Sequence, residues 1–111
     1  MNELLKKLGW KEKEIRCYLA LLELGQQPAS VISKQLYIPK ATVLFVLHRL
    51  TERGFVKRRK KMKTEYFFAD PQDLHGAYQR ELRERSQALE KVVPLLEECK
   101  NPLTSPPKMS F

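Results

Sequence analysis

The chain has 111 residues, of which 42% are hydrophobic and 31% charged, so one folded globular domain is expected and a disordered chain is excluded. No apolar run approaches the roughly 20 residues of a membrane span, and the first residues are too few and too charged for a signal peptide, so we expect a cytoplasmic protein without membrane contact. The net charge is +8, and residues 1–70 hold all of the excess, with 15 Lys and Arg against 7 Asp and Glu, which favours a polyanion as the partner.

Two helices are predicted in the first 25 residues. A short helix spans Asn2 to Leu8, and Trp10 is expected to fill the edge of the core. The next helix spans Lys11 to Leu24 and ends at Gly25, since glycine commonly terminates a helix. Its apolar residues recur at the spacing of a helix with one buried face: Ile15, Tyr18, Leu19 and Leu22.

Residues 28–53 have the pattern of a helix-turn-helix. Pro28 opens a helix that ends near Leu36, because a missing N–H costs little in the first turn. Pro39 enforces the turn, since the residue before a proline is steered out of helical geometry. A longer helix then runs from Lys40 to Arg53. The inward positions of the two helices are Val31, Ile32 and Leu36 in the first and Val43, Val46, Leu47 and Leu50 in the second.

A strongly basic β-hairpin is predicted directly after Gly54. The strands are Phe55 to Arg59 and Thr64 to Ala69, with a tip at residues 60–63, and six of the seven residues 57–63 are basic. We expect Val56, Tyr66 and Phe68 to point inward and Phe67 to point outward. Like charges directly opposite one another repel, so the cationic tip is expected to close poorly by itself, and neutralisation by a phosphate backbone would explain its charge.

The order helix, turn, helix, basic hairpin is that of a winged helix-turn-helix, in which the second helix enters the major groove of DNA. The predicted base-facing residues are Lys40, Ala41, Thr42, Leu44, Phe45 and His48. The predicted phosphate-contacting residues are Arg49, Lys57, Arg58, Arg59, Lys60, Lys61 and Lys63. Leu44 and Phe45 are apolar, so they either contact thymine methyl groups and sugars or pack on a partner protein.

A long C-terminal helix follows, with Asp70 as its cap and Pro71 at its first position. Residues spaced by four and three form a short heptad seam, interrupted by Arg85, and we read this helix as a dimerisation helix kinked near Pro94. The alternative is a helix that folds back on its own domain. The predicted dimer contacts are Tyr78, Leu82, Leu89, Val92 and Leu96. The expected organisation is a DNA-binding domain over 1–70, the dimerisation helix over 71–100 and a flexible tail over 101–111.

Enzymes and metal proteins are poor interpretations of this chain. No paired carboxylates, nucleophile–base spacing, glycine-rich phosphate loop or metal-ligand cluster is visible, so no cofactor is expected. Cys17 and Cys99 have no Cys or His neighbour at zinc-ligand spacing, and two reduced thiols are the expected state.

Several segments resemble the amino-terminal domain of the TrmB-like transcription regulators: LGWKEKE, YLALLELG, IPKATV, LTERGFV and ADP. The resemblance covers residues 2–98 and implies a winged helix-turn-helix that binds promoter DNA as a dimer. It maps the recognition helix to residues 40–53 and the wing to residues 57–66. Where the family usually has a capping Ser or Thr this chain has Lys11 and Pro28, and Tyr37 replaces the turn glycine. Many TrmB-like proteins continue into a sugar-binding effector domain, which we do not expect here.

The sequence therefore supports two functions. The first is a homodimeric regulator that binds promoter or operator duplex DNA through its recognition helix and basic wing. The second is a winged-helix module that docks on transcription machinery or another protein, which the apolar Leu44 and Phe45 favour and the cationic wing opposes.

Overall fold

The computed structural model describes residues 1–101. Within them the chain forms the expected winged helix-turn-helix, mainly α-helical with one antiparallel hairpin, followed by a long helix. The elements are α1 (Asn2–Lys7), α2 (Glu12–Leu24), α3 (Ala29–Leu36), α4 (Lys40–Glu52), β1 (Val56–Lys61), β2 (Thr64–Ala69) and α5 (Gln72–Cys99). Apart from Asn101, the tail expected at residues 101–111 lies outside the described residues.

The contacts divide the chain into two units. The first, Met1–Ala77, contains the winged helix-turn-helix and the start of α5, and the second begins at Tyr78. None of the described helices combines the length and the apolar character that a bilayer span requires.

The core of the first unit lies between α2, α3, α4 and β2. All four residues predicted for the core face of α4 are buried. The prediction for α2 was partly wrong, because Leu19 is only half-buried and Leu22 is 39% exposed. Since α2 packs against α3, α4 and β2 at once, its buried face is wide and centres on Cys17 and Leu21.

One side-chain carboxylate and one long-range hydrogen bond stabilise two of the helix ends, although neither Lys11 nor Pro28 donates or accepts a side-chain capping bond. The Lys11 backbone N–H donates a 2.7 Å hydrogen bond to Glu14 Oε1, which satisfies one group at the start of α2. At the end of α3, Tyr37 adopts the left-handed conformation with φ 57° and ψ 42°. Arg16 Nη2 donates to the Leu36 carbonyl at 3.0 Å and so joins α2 to this turn.

The hairpin is longer and tighter than predicted. Its two-residue turn consists of Met62, with a φ of 58°, and Lys63, and Val56 pairs with Ala69 at its base. Side chains alternate between faces in a strand, so this register places Phe67 on the face of Val56.

The expectation that Phe67 points outward was wrong. Phe67 is completely buried, whereas Tyr66 and Phe68 are half-buried. Phe67 also exchanges two backbone hydrogen bonds with Gln27, at 3.0 and 2.9 Å, so β2 is paired on both edges at this point. The non-local pairing with Gln27 and the packing of β2 on α2 and α3 therefore bury Phe67.

The start of α5 is capped as expected, since the Gln72 backbone N–H donates to Asp70 Oδ1 at 3.0 Å. Pro71 lies immediately before the first helical residue, and the helix continues through Pro94 to Cys99.

Candidate nucleic-acid interface

The face of α4 opposite the core is the centre of the candidate site. Val43, Val46 and Leu47 bury one side of this helix, which leaves Lys40, Ala41 and Phe45 exposed on the other. Phe45 is 61% exposed, although it is a large apolar side chain. The remaining predicted base-facing residues are half-buried: Thr42, Leu44 and His48.

A cavity of about 320 Å³ lies on the α2 side of α4. The first turn of α2 forms one wall, and the α4 residues in the other wall are Thr42, Phe45, Val46 and Arg49. The Arg49 guanidinium carbon lies 5.7 Å from the centroid of the Phe45 ring, within cation–π distance. Arg49, predicted as a phosphate contact, therefore also has an intramolecular partner.

A second cavity, of about 290 Å³, lies between α4 and the wing. Lys40 and Leu44 line it from α4, and Lys63 and Glu65 line it from the hairpin. The start of α3 closes it through Pro28, Ala29 and Ser30, which the sequence analysis did not include in the site. The tip of the wing and the beginning of α4 thus border one concave surface.

His48 faces the wing. Its Nε2 lies 3.3 Å from Glu65 Oε1, and its ring lies 5.7 Å from the centroid of Phe67. The second carboxylate oxygen of Glu65 accepts a 3.0 Å hydrogen bond from Arg58 Nη1. One carboxylate therefore contacts the recognition helix and the wing together.

The six wing cations do not face one another across the hairpin, so the expected repulsion between opposite like charges was wrong. In the observed register the residues opposite Lys57 to Lys61 are, in order, Phe68, Phe67, Tyr66, Glu65 and Thr64. Aromatic, acidic and hydroxyl side chains thus separate the cations across the hairpin.

Two wing cations have acidic partners within the first unit. Arg58 pairs with Glu65, and Lys57 Nζ lies 3.5 Å from Asp73 Oδ2 at the start of α5. The predicted phosphate contacts of the wing are all exposed to solvent: Lys57, Arg58, Arg59, Lys60, Lys61 and Lys63.

Glu65 contacts both α4 and the wing and was not among the predicted site residues. It is the only acidic residue between Arg53 and Ala69, and that isolation within a basic segment was a usable signal. Its partners are His48, 17 residues upstream in the sequence, and Arg58, seven residues upstream, and neither contact could be predicted from the strand pattern.

The predicted dimer contacts lie on α5. Tyr78 is half-buried, and the other four are exposed: Leu82, Leu89, Val92 and Leu96. Leu95 and Val93 are exposed as well, so apolar side chains are not confined to the predicted seam.

The described residues hold no group of three or more His, Cys, Asp or Glu side chains arranged to bind a metal ion. Both cysteines are free thiols. Burial raises the pKa of Cys17 to about 11, against a smaller opposing effect of the Arg16 charge, so this thiol stays protonated at neutral pH.

Several solved structures similar to this chain are described as transcription regulators. The transcriptional regulator PA4135 is 25% identical with a TM-score of 0.56, and the match covers 96% of this chain and 87% of that one. Transcriptional regulator Tm0710 from Thermotoga maritima is 17% identical with a TM-score of 0.57, and the match covers 85% and 67%. The Zalpha domain of PKZ from Carassius auratus, solved in complex with Z-DNA, is 20% identical with a TM-score of 0.50, covering 53% and 94%.

No curated protein matches the chain. The family model described as "Sugar-specific transcriptional regulator TrmB" matches residues 5–72, which is more than half of the chain and spans α2 through the wing. The fold and the family model both indicate a winged-helix transcription regulator. This chain belongs to the TrmB family of transcription regulators.

Proposed function

We propose that this protein regulates transcription by binding duplex DNA as a homodimer, with α4 in the major groove and the wing on the phosphate backbone. The observation that carries this proposal is the cavity that Lys40 of α4 and Lys63 of the wing line together. A recognition helix and a cationic hairpin that border one concave surface can contact bases and phosphates of the same duplex segment.

The wing supplies the phosphate contacts. Three exposed cations lie on β1: Arg59, Lys60 and Lys61. Each is paired with a residue of β2, so the strand pairing holds their backbone in place while their charged groups reach solvent. Each phosphate that such a cation neutralises releases counterions, so affinity should fall steeply as salt rises.

The exposed ridge of α4 supplies the base contacts. Ala41 and Phe45 are its most outward apolar residues, and Lys40 stands at the N-terminal end that usually meets base edges. Phe45 and the methyl group of Ala41 suit apolar contact with thymine methyl groups, so a preference for thymine at these positions is expected.

The dimer part of the proposal is supported by α5. A helix of 28 residues that exposes Leu82, Leu89 and Leu96 leaves an apolar surface in water unless a second helix covers it. A two-fold dimer presents two recognition helices, so the operator should contain half-sites about one helical turn (~10 bp) apart.

The test is fluorescence anisotropy of a labelled duplex at several salt concentrations, with the full chain and two charge-matched variants. The double variant Arg59→Ala/Lys61→Ala removes two wing cations, and the control Arg83→Ala/Lys91→Ala removes two exposed cations of α5. We expect the wing variant to lose affinity for all sequences. The slope of log affinity against log salt concentration should become less steep by about 0.9 for each lost phosphate contact, while the control binds as the wild type does. Equal losses of DNA affinity in the two variants would mean that only the net charge matters and would contradict a specific role for the wing. Binding of the wild type that does not depend on salt would contradict the proposal.

The alternative is a protein-docking module, and one observation favours it. Phe45 is exposed beside the 320 Å³ cavity formed with the first turn of α2, where an apolar side chain of a partner could insert. Retained DNA affinity after Lys60→Glu/Lys61→Glu would favour this alternative, because a phosphate-binding wing cannot tolerate reversed charge.

A further inference from the structure

Glu65 stands at the junction between the wing and the recognition helix. Its Oε1 lies 3.3 Å from His48 Nε2 on α4, and its Oε2 accepts a 3.0 Å hydrogen bond from Arg58 Nη1 on β1. The side chain is 29% exposed, so it is partly shielded from water and salt.

Cations surround this carboxylate on several sides. Lys60 is its direct cross-strand partner, and Lys40 and Lys63 line the same cavity. An acid in this position repels the phosphates that a DNA-binding surface attracts. Under the proposed function its presence lowers DNA affinity, while its contacts to His48 and Arg58 join α4 to the wing.

We propose that Glu65 is a positioning residue that holds the wing against the recognition helix and thereby raises sequence selectivity at the expense of affinity. This inference rests on the proposed function. By joining His48 and Arg58, the carboxylate sets the wing at one distance from α4 before DNA arrives. A wing held in this way grips phosphates only where α4 also fits the bases, whereas a loose wing grips phosphates of any sequence.

The apolar contact beside Glu65 supports this assignment. Phe67, two residues along the same face of β2, packs against the His48 ring with centroids 5.7 Å apart. Phe67 anchors the base of the wing in the core, and Glu65 extends the attachment by two residue pairs towards the tip. Between the Lys60–Glu65 pair and the end of the hairpin, positions 61–64 are all exposed, so Glu65 is the contact with α4 that lies nearest the turn.

Asp73 provides a matched control. It is 28% exposed and also pairs with one wing cation, Lys57, at 3.5 Å, but it lies at the start of α5 and does not join the wing to α4. Glu65→Ala and Asp73→Ala therefore each remove one carboxylate and release one wing cation, and only the first breaks the link to the recognition helix.

The experiment measures, for the wild-type chain and both variants, the affinity for a random-sequence duplex and for a duplex selected for tight binding. We expect Glu65→Ala to bind the random duplex about 3- to 10-fold more tightly and to lose about tenfold in the ratio of selected to random affinity. Asp73→Ala should gain similar affinity for the random duplex with an unchanged ratio. Glu65→Gln, which keeps the shape and one acceptor oxygen, should recover part of the ratio and serves if the alanine variant unfolds.

A readout without DNA separates this inference from the proposed function. Hydrogen exchange of the backbone amides of residues 57–66 should accelerate several-fold in Glu65→Ala and remain unchanged in Asp73→Ala. If Glu65→Ala accelerates exchange but the wild-type protein does not bind DNA, Glu65 does hold the wing against α4, and only the proposed function is overturned. Unchanged exchange, or an unchanged affinity ratio in a protein that does bind DNA, would overturn the positioning role of Glu65.

Discussion

The His48 imidazole and the Phe67 ring lie 5.7 Å apart and tilted by 50°, which brings the middle of the recognition helix against the inner face of the wing. Phe67 is at the same time paired to Gln27 through two backbone hydrogen bonds. The base of the wing is therefore held from both sides, and the cations near its tip are carried on a supported strand.

The wing cations should differ in their contribution to DNA binding. Arg59→Ala should lower the affinity for every duplex, while Lys57→Ala should have a smaller effect, because Lys57 must leave Asp73 before it can contact a phosphate. An exposed ion pair contributes at most about 1 kcal/mol, so the difference should not exceed about fivefold. Titrations of one duplex at fixed salt measure it, and a larger loss for Lys57→Ala would contradict the pairing.

Substitution of Phe67 should mainly lower stability, whereas substitution of Phe45 should mainly affect DNA binding. Phe67→Ala removes a completely buried ring and should cost about 3–5 kcal/mol of unfolding free energy. Phe45→Ala truncates an exposed ring and should change stability by less than about 1 kcal/mol, while it weakens sequence preference in DNA binding. Urea unfolding and anisotropy on the same preparations check both, and a large stability loss for Phe45→Ala would show that this ring is not free for a ligand.

Tyr18 should make the fold sensitive to alkaline pH. Burial, and then the charges of Asp70 and Asp73, raise its pKa from 10.0 to about 12. The unfolded chain loses this proton near pH 10 while the folded chain keeps it, so stability is complete below pH 10 and falls by roughly 3 kcal/mol at most by pH 12. Cys17 acts in the same direction between pH 9 and about 11.

Tyr18→Phe is the variant that checks this assignment. Among the described residues the Tyr18 hydroxyl is buried without a hydrogen-bond partner, so its removal should leave neutral-pH stability unchanged or raise it by about 1 kcal/mol. The variant should also lose less stability than the wild type between pH 10 and pH 12. A marked loss of stability of Tyr18→Phe at pH 7 would mean that the Tyr18 hydroxyl forms a hydrogen bond in the native protein.

Tyr37→Gly should stabilise the protein. Tyr37 is 95% exposed and has a φ of 57°, a conformation that costs a residue with a Cβ about 1–2 kcal/mol. Glycine relieves this strain and loses up to about 1 kcal/mol to the extra freedom of the unfolded chain, so a net gain of about 0.5–1 kcal/mol is expected. Tyr37→Ala keeps the Cβ and should give no gain in stability. Thermal unfolding of both variants measures this, and equal stabilisation by alanine and glycine would contradict backbone strain at this position.

The two thiols should react at very different rates. Cys99 is exposed, whereas Cys17 is buried with its pKa raised to about 11, so little of it is the reactive thiolate at neutral pH. A thiol reagent at pH 7.5 should modify one cysteine per native chain rapidly and the second only after denaturant is added. Rapid modification of both in the native protein would contradict the burial of Cys17.

The sequence by itself determined the elements and the buried side of α4, because helix periodicity, the helix stop at Gly54 and the proline at 39 act over a few residues. It also located the basic segment at residues 57–63, since charge is a property of the residues themselves. Residue spacing alone predicted a hairpin, but it predicted the wrong inward face for β2.

Only the tertiary structure decided what each strand faces. Alternation alone separates Phe67 from Tyr66 and Phe68 without showing which face is buried, and the strand register together with the pairing to Gln27, 40 residues upstream, assigns the buried face to Phe67. In the same way, Glu65 contacts His48 across the space between wing and helix, and Arg58 and Lys57 each acquire an acidic partner. These contacts depend on strand register and on the packing of non-consecutive elements, which a local pattern in the sequence does not encode.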